Sequence, residues 1–193
     1  MKVSILDYDA GNLASVYNCF YNLGASVKVI NNYKDIKKAE RLVVPGVGSA
    51  KYSIDYLNKN KMFNELKLFI ETGRPILGIC LGLQIFGKNL CEHGKSEGLG
   101  FIDADVKEIS VKNKSIMSHI GWNKIDSNKE LTKRLNIKEN TYFYFCHSYS
   151  LNIYKKSKLI YLKTFYQKEI PALVLKENFF GAQFHPEKSQ KAG

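Results

Sequence analysis

Short apolar segments alternate with longer amphipathic ones along the first hundred residues. Apolar runs at residues 3–6, 26–30, 42–44 and 76–79 predict strands. Between these strands, apolar side chains at helical spacing predict helices. The first helix has an apolar face formed by Leu13, Val16, Tyr17, Phe20 and Leu23, and the third has one formed by Met62, Phe63, Leu66, Phe69 and Ile70. A short lysine-rich helix is predicted between them at about 33–39. Strands that alternate with helices predict a mainly parallel sheet covered by helices on both faces.

The pattern changes after Gly100, where short strand-like runs are joined by polar loops. These runs lie at residues 105–111, 122–125, 142–146, 159–165, 172–175 and 179–183. We expect them to add antiparallel edges and a hairpin region to the same sheet. The sequence has no internal repeat and no low-complexity segment, so residues 1–193 are expected to form a single α/β domain.

A strand, a tight turn and a helix are predicted in succession at residues 75–86. The apolar run 76–79 predicts a buried strand, and the residues from Leu81 to about Leu90 predict a helix. Cys80 stands at the turn, between two glycines that permit strained backbone. Because a helix N-terminus favours a thiolate, Cys80 is a candidate nucleophile. A buried structural cysteine would give the same local pattern.

A nucleophilic cysteine needs a base and a group that orients the base. Near the C-terminus, His185 follows an apolar strand, Pro186 ends that strand, and Glu187 lies two residues after the histidine. Cysteine, histidine and glutamate would then form a triad by role. The segment 45–48, Pro-Gly-Val-Gly, follows another predicted parallel strand, and its backbone N–H groups can face the same sheet edge. A plain turn is the simpler interpretation of that segment.

Composition narrows the class of protein. The net charge is +11, but the lysines are scattered, which favours a solvated surface over nucleic-acid binding. The four cysteines include no C-x-x-C pair, no signal-peptide pattern opens the chain, and no apolar run reaches the ~20 residues that a membrane span needs. We expect a soluble cytoplasmic protein that uses no metal or cofactor and binds neither membrane nor nucleic acid.

Several motifs resemble known proteins. Gly78-Ile-Cys-Leu-Gly-Leu-Gln84 together with His185-Pro-Glu187 resembles the glutaminase domain of class I glutamine amidotransferases. The segments 42–48, 119–123 and 144–149 resemble one family in particular, the glutaminase subunit of imidazole glycerol phosphate synthase from histidine biosynthesis. The similarity covers effectively the whole chain. It implies a three-layer α/β/α class I glutamine amidotransferase fold with a mixed, mainly parallel central sheet.

The resemblance also implies hydrolysis of L-glutamine to glutamate and ammonia. Cys80 would attack the amide carbon, His185 would shuttle protons, and Glu187 would orient His185. Backbone N–H groups around Gly48 and at Leu81 would hold the oxyanion. Contacts to the amino-acid end of glutamine would come from Gln84, Glu92, Ser148 and Tyr149.

A partner is implied as well, a (β/α)8-barrel cyclase subunit that receives the ammonia and makes imidazole glycerol phosphate and AICAR. Trp122, Asn123 and Tyr144 match positions that face this partner. Asp9 and Ser118 stand where the family usually has Gly and Pro, which leaves an alternative open. In that alternative, a paralogous subunit supplies ammonia for amidination of a bacterial surface sugar. A silent binding module is disfavoured because the Cys–His–Glu set is complete, and a stand-alone cysteine hydrolase would not need a partner surface.

Overall fold

The computed structural model describes residues 1–109, 118–126, 132–133, 135–138, 140–157 and 159–193. The strands in these ranges are β1 (Lys2–Leu6), β2 (Ser26–Ile30), β3 (Leu42–Val44), β4 (Ile76–Ile79), β5 (Asn89–Leu90), β6 (Ser96–Glu97), β7 (Ala104–Glu108), β8 (His119–Lys124), β9 (Tyr142–His147), β10 (Tyr149–Ile153), β11 (Ile160–Tyr166), β12 (Lys168–Lys176) and β13 (Phe179–Ala182). The helices are α1 (Leu13–Asn22), α2 (Tyr33–Lys38), α3 (Ala50–Lys59), α4 (Met62–Glu71) and α5 (Leu81–Gln84), followed by 3-10 turns at Pro186–Lys188 and Gln190–Ala192. In this part of the chain, no helix combines the length and apolar character needed to span a bilayer.

The central sheet has seven strands in the order β11-β12-β13-β4-β3-β1-β2. From β13 to β2 every neighbouring pair is parallel, whereas β12 runs antiparallel to both β11 and β13. The sheet is therefore mixed and mainly parallel, which confirms the prediction. The predicted bounds of β2, β3 and β4 agree with the structure.

Helices cover both faces of this sheet because successive side chains of a strand point in opposite directions. Val3 and Ile5 of β1 pack with Val16 of α1 on one face. Leu6, at the end of the same strand, belongs to the larger core on the other face, which also contains Leu57 of α3 and residues of α4. The three-layer α/β/α fold is confirmed.

Two expectations about helices were wrong, and one helix was missed. The helix after Cys80 ends at Gln84, although apolar spacing predicted that it would continue to about Leu90. Leu90 instead lies in β5, because the backbone beyond the helix pairs with β6 and β7. Helix α3 was not predicted, since its polar and aromatic composition hides the apolar stripe that it buries. Leu23, predicted on the inner face of α1, lies just after the helix and is exposed.

The prediction that all the later strands join the central sheet was also wrong. Among the later strands that the structure describes, only β11, β12 and β13 do so, and the first two form the predicted antiparallel edge. A separate four-stranded sheet has the order β10-β7-β5-β6, and β8 pairs with β9 in a two-stranded ribbon. Alternating polarity predicts a strand but does not specify its pairing partner, which explains the error. The end of the predicted strand 105–111 lies outside the described residues.

Candidate active site

Cys80 lies between the end of β4 and the start of α5 in strained backbone. Its φ of 52° and ψ of −105° fall in a region that residues with a side chain rarely adopt. The two flanking glycines allow close packing there, because a Cβ on Gly82 would lie 1.8 Å from the carbonyl oxygen of Val44. The Cys80 N–H donates to the Ala182 carbonyl oxygen at 2.7 Å, which ties the turn to β13. The predicted strained turn at the end of β4 is confirmed.

His185 and Glu187 follow β13, the strand beside β4. The His185 N–H donates to the Tyr144 carbonyl oxygen at 2.8 Å, and this bond fixes the backbone beyond the strand. Nδ1 of His185 lies 2.7 Å from Oε1 of Glu187, and both side chains are buried. Asn12, just before α1, donates its side-chain N–H to the same carboxylate oxygen. The imidazole is therefore held in one orientation by a partnered carboxylate.

The charge state of His185 depends on its two neighbours in the site. Burial alone would lower its pKa, but hydrogen bonds with Cys80 and Glu187, and the negative charge of both groups, raise the pKa to about 10. The imidazole is consequently protonated at neutral pH. The structure thus brings Cys80, His185 and Glu187 together at the carboxyl end of the parallel strands.

Cys80 opens into a cavity of about 280 Å³, near the lower end of the size range for small-molecule sites. The family resemblance implied that six residues contact the oxyanion or the substrate. All six line this cavity: Gly48, Leu81, Gln84, Glu92, Ser148 and Tyr149. A larger cavity of about 680 Å³ lies elsewhere, beside α4 and Phe180. Cys80 does not line it, so the smaller cavity is the candidate site.

The Pro45-Gly-Val-Gly48 segment forms one wall of the cavity and has its own hydrogen bonds. The Tyr8 hydroxyl donates to the Pro45 carbonyl oxygen, and the Val47 N–H donates to the Ala10 carbonyl oxygen at 2.8 Å. Gly48 has a φ of 102°, which strongly favours glycine. The segment is therefore a specific loop conformation held by the residues after β1.

Two cavity residues have partners that the sequence did not predict. The Glu92 carboxylate accepts the backbone N–H of Ala50 and the Ser49 hydroxyl, at the N-terminus of α3. The Ser148 hydroxyl lies 2.7 Å from that of Ser118. Both cavity groups are thereby oriented before any ligand binds.

A run of buried hydrogen-bonded side chains surrounds the cavity, and sequence analysis assigned no role to most of them. Nε2 of Gln84 donates to the Tyr149 carbonyl oxygen at 2.7 Å, and Nδ1 of His147 lies 2.8 Å from the same oxygen. His147 Nε2 is 3.1 Å from Nδ1 of His119. Burial lowers the pKa of His119 to about 4 and that of His147 to about 3, so both rings are neutral. Gln183 completes the set, and its position two residues before His185 on an extended chain was the signal that was overlooked.

The three residues expected to face a partner lie on the β8–β9 ribbon but not on one face. Trp122 pairs directly with Tyr144 across the ribbon, with ring centroids 5.9 Å apart, and the Trp122 side chain is 47% exposed. Asn123 points to the opposite face, as strand alternation requires. Its side-chain N–H groups contact the Phe165 carbonyl oxygen at 2.9 Å and His119 Nε2 at 3.2 Å.

Within the described ranges, no group of three or more His, Cys, Asp or Glu side chains is arranged to hold a metal ion. The site provides a nucleophile, Cys80, and acid–base groups, His185 and Glu187. A cysteine beside a protonated imidazole can attack an electrophilic carbonyl carbon and return a proton to a leaving group.

The family model for glutamine amidotransferase class-I matches residues 4–193. The chain belongs to this family. Solved structures support the fold: a glutamine amidotransferase crystal structure superposes with a TM-score of 0.75 at 17% identity, over 97% of this chain and 92% of that one. The structure of PurLQS from Thermotoga maritima superposes with a TM-score of 0.71 at 18% identity, over 97% of this chain and 88% of that one.

Within this class, the chain is similar over its whole length to one particular kind of subunit. It is 41% identical to imidazole glycerol phosphate synthase subunit HisH of Caldanaerobacter subterraneus subsp. tengcongensis, over 99% of this chain and 93% of the relative. It is 40% identical to subunit HisH of Pelagibacter ubique, over 100% and 95%. It is 38% identical to subunit HisH 2 of Campylobacter jejuni, over 100% and 94%. The chain is therefore HisH-like, as its motifs predicted.

Proposed function

We propose that residues 1–193 act as one glutaminase domain that hydrolyses L-glutamine to glutamate and ammonia. The observation that carries this proposal is the strained backbone of Cys80, whose thiol lies beside a His185 ring that is bonded to Glu187 at 2.7 Å. Membership of the glutamine amidotransferase family supports the same activity.

The reaction follows from the roles that the geometry allows. The Cys80 thiolate attacks the side-chain amide carbon of glutamine and forms a tetrahedral intermediate with a negative oxygen. Protonated His185 gives its proton to the amide nitrogen, the C–N bond breaks, and ammonia leaves behind a glutamyl thioester. Neutral His185 then accepts a proton from water, which attacks the thioester and releases glutamate. Glu187 keeps the ring oriented and stabilises its charged form throughout.

The oxyanion needs hydrogen-bond donors close to the nucleophile. Leu81 and Gly48 line the same cavity as Cys80, so their backbone N–H groups are the candidate donors. Removing one such donor typically costs a factor of ~10²–10³ in rate. The conformation of the loop at Gly48 is therefore a strong determinant of turnover.

The polar groups of the cavity suit an α-amino acid. The Glu92 carboxylate attracts the ammonium group of glutamine, and Gln84 forms part of the same wall. Ser148 and Tyr149, which line the same cavity, offer a hydroxyl and backbone groups to the α-carboxylate. Binding at both charged ends places the side-chain amide at Cys80 and favours glutamine over larger amides.

Ammonia is the product that a second subunit would consume. The relatives are named as subunits of imidazole glycerol phosphate synthase. We propose a (β/α)8-barrel cyclase as the partner, which uses the ammonia to form imidazole glycerol phosphate and AICAR in histidine biosynthesis. Docking would use the exposed Trp122–Tyr144 face, with Asn123 behind it. Supply of ammonia for amidination of a surface sugar is not favoured by these relatives.

We also propose a cytoplasmic location, where thiols stay reduced. Cys19, Cys80, Cys91 and Cys146 are all free in the structure. A reduced nucleophile is required for the chemistry proposed at Cys80.

The test is to incubate the chain with glutamine labelled with ¹⁵N in its side-chain amide, alone and with the cognate cyclase and its ligand. We expect glutamate and ammonia to form, and the label to enter the imidazole product in the complex. A Cys80→Ala variant assayed in parallel gives the background. Glutamate production that survives in this variant would refute the assigned nucleophile, and unlabelled imidazole product would refute ammonia transfer.

A further inference from the structure

Gln183 is a fully buried amide beside the nucleophile. Its Nε2 lies 3.7 Å from Sγ of Cys80, and its Oε1 accepts a hydrogen bond from Nε2 of Gln84 at 3.2 Å. An amide can present either its donor or its acceptor to the sulfur. Which end faces Cys80 decides whether Gln183 stabilises or repels a thiolate.

The surrounding hydrogen bonds determine that orientation. The carbonyl oxygen of Tyr149 can only accept, so the Gln84 atom bonded to it must be the nitrogen. The same nitrogen bonds Gln183, which must therefore offer its oxygen to Gln84 and its nitrogen to Cys80. The orientation of one amide thus fixes the other.

The same reasoning fixes which ring nitrogen carries the proton in each of the two neutral histidines. Nδ1–H of His147 donates to the Tyr149 carbonyl oxygen, which leaves Nε2 of His147 as an acceptor for Nδ1–H of His119. Nε2 of His119 then accepts from the Asn123 side chain. The His119 ring is stacked between Phe145 and Tyr166, with centroids 4.4 and 4.3 Å away, so it cannot easily turn.

We infer that Gln183 is a further catalytic residue of the proposed glutaminase, with its N–H directed at the Cys80 sulfur. Gln84 and His147 are positioning residues: Gln84 bonds Gln183 directly, and His147 holds the Tyr149 carbonyl oxygen that orients Gln84. This inference rests on the proposed function. An N–H directed at a thiolate in a buried, weakly polarisable site stabilises the negative charge, whereas a carbonyl oxygen there would oppose it. Because Gln183 touches the nucleophile, its loss should lower kcat more than it raises KM.

Other groups also act on the sulfur, and their effects must be distinguished from the effect of Gln183. His185 and Tyr8 are close enough to interact with the sulfur electrostatically, and the Cys146 carbonyl oxygen lies 3.8 Å away. Glu187 and His147 act on the charge of His185. None of these groups is altered by a substitution at Gln183 itself.

The experiment measures the rate at which iodoacetamide alkylates Cys80 across a pH series, read from the Cys80 peptide by mass spectrometry so that the other three cysteines do not contribute. Gln183→Glu and Gln183→Met should each move the midpoint of this profile upward by about one pH unit, the scale expected for a hydrogen bond to a charged group. Gln167→Glu, at an exposed position, adds the same charge and should leave the midpoint in place. Thermal melts confirm folding, and Gln183→Met, which adds no buried charge, keeps the test valid if the Glu variant unfolds.

Two substitutions at His147 test its positioning role. His147→Asn keeps an N–H that can reach the Tyr149 carbonyl oxygen and should retain the midpoint, whereas His147→Phe keeps the ring shape without the donor and should raise it. If the midpoint is unchanged in both Gln183 variants, Gln183 does not stabilise the Cys80 thiolate. If the midpoint is unchanged in His147→Phe, His147 has no positioning role. Because alkylation needs no glutamine, these results stand apart from any failure of the glutaminase assay.

Discussion

The backbone N–H of Val47 donates to the carbonyl oxygen of Ala10, 2.8 Å away. This bond joins the loop beside the cavity to the loop after β1, and it occupies the N–H group of a residue that lines the cavity. A loop rich in glycine can turn such a group at low steric cost. We propose that breaking this bond lets the Val47 N–H turn towards the oxyanion, so that the observed loop corresponds to a resting conformation.

The first prediction is that turnover depends on a partner. Docking that shifts the loop towards a conformation with its N–H at the oxyanion should raise kcat by ~10²–10³. Steady-state glutaminase assays of the chain alone, and then with the cognate cyclase and its ligand, measure the effect. Trp122→Ala should raise the cyclase concentration needed for half-maximal stimulation. Full turnover by the isolated chain would contradict this gating while leaving the chemistry at Cys80 intact.

The second prediction concerns the nucleophile. Cys80→Ser should abolish glutamine hydrolysis with little change in the fold, because the exchange of sulfur for oxygen alters little volume. A glutamine-like diazo ketone should modify Cys80 and none of the other three cysteines, as judged by peptide mass spectrometry. Labelling of Cys146, the exposed cysteine at the cavity, together with residual activity in the serine variant, would reassign the nucleophile.

The third prediction concerns Glu187, whose charge helps to raise the pKa of His185 to about 10. Glu187→Gln keeps the shape but removes the charge, so the pKa of the imidazole should fall. The alkaline limb of the kcat profile should move to lower pH, and kcat should fall by less than in the Cys80 variants. Adding Glu187→Gln to Cys80→Ser should cost little more, because the groups act as a unit. Independent, additive losses would place Glu187 outside that unit.

The fourth prediction is a stability maximum near pH 6.5. Burial lowers the folded-state pKa of His119 and His147 to about 4 and about 3, so as the pH falls below 6.5 the unfolded chain binds more protons and stability is lost. The raised pKa of His185 acts in the other direction, and its stabilisation is complete below pH 6.5 and is lost as the pH rises through about 10. Urea unfolding at pH 6.5 and 5.0 should show a loss on the order of 1–2 kcal/mol. His147→Asn should show about half of that loss, and an equal loss in both proteins would exclude His147 as a cause.

The region around Cys80 was predictable because its signals are local. An apolar run that begins after Pro75 and ends before Cys80 specified β4, and alternation of strands with helices placed several strand ends at one edge. The extent of α5 was not predictable, since Leu90 satisfies helical spacing but is committed to β5 by pairing with residues far along the chain. The position of Gln183 two residues before His185 could place it on the same face as the histidine, but its role was missed because it depends on the orientation of Gln84, which is distant in sequence.

The position of β13 has a consequence for how the protein is made. This strand comes from residues 179–182, yet it lies in the interior of the sheet, between β4 and β12, and its Ala182 carbonyl oxygen anchors the Cys80 turn. A nascent chain that has emerged only through β12 therefore carries the cysteine without its anchor and without His185, and β4 has an open edge. Ribosome-bound intermediates should consequently be unable to consume glutamine, and that unpaired edge is where they would be recognised by chaperones or would aggregate.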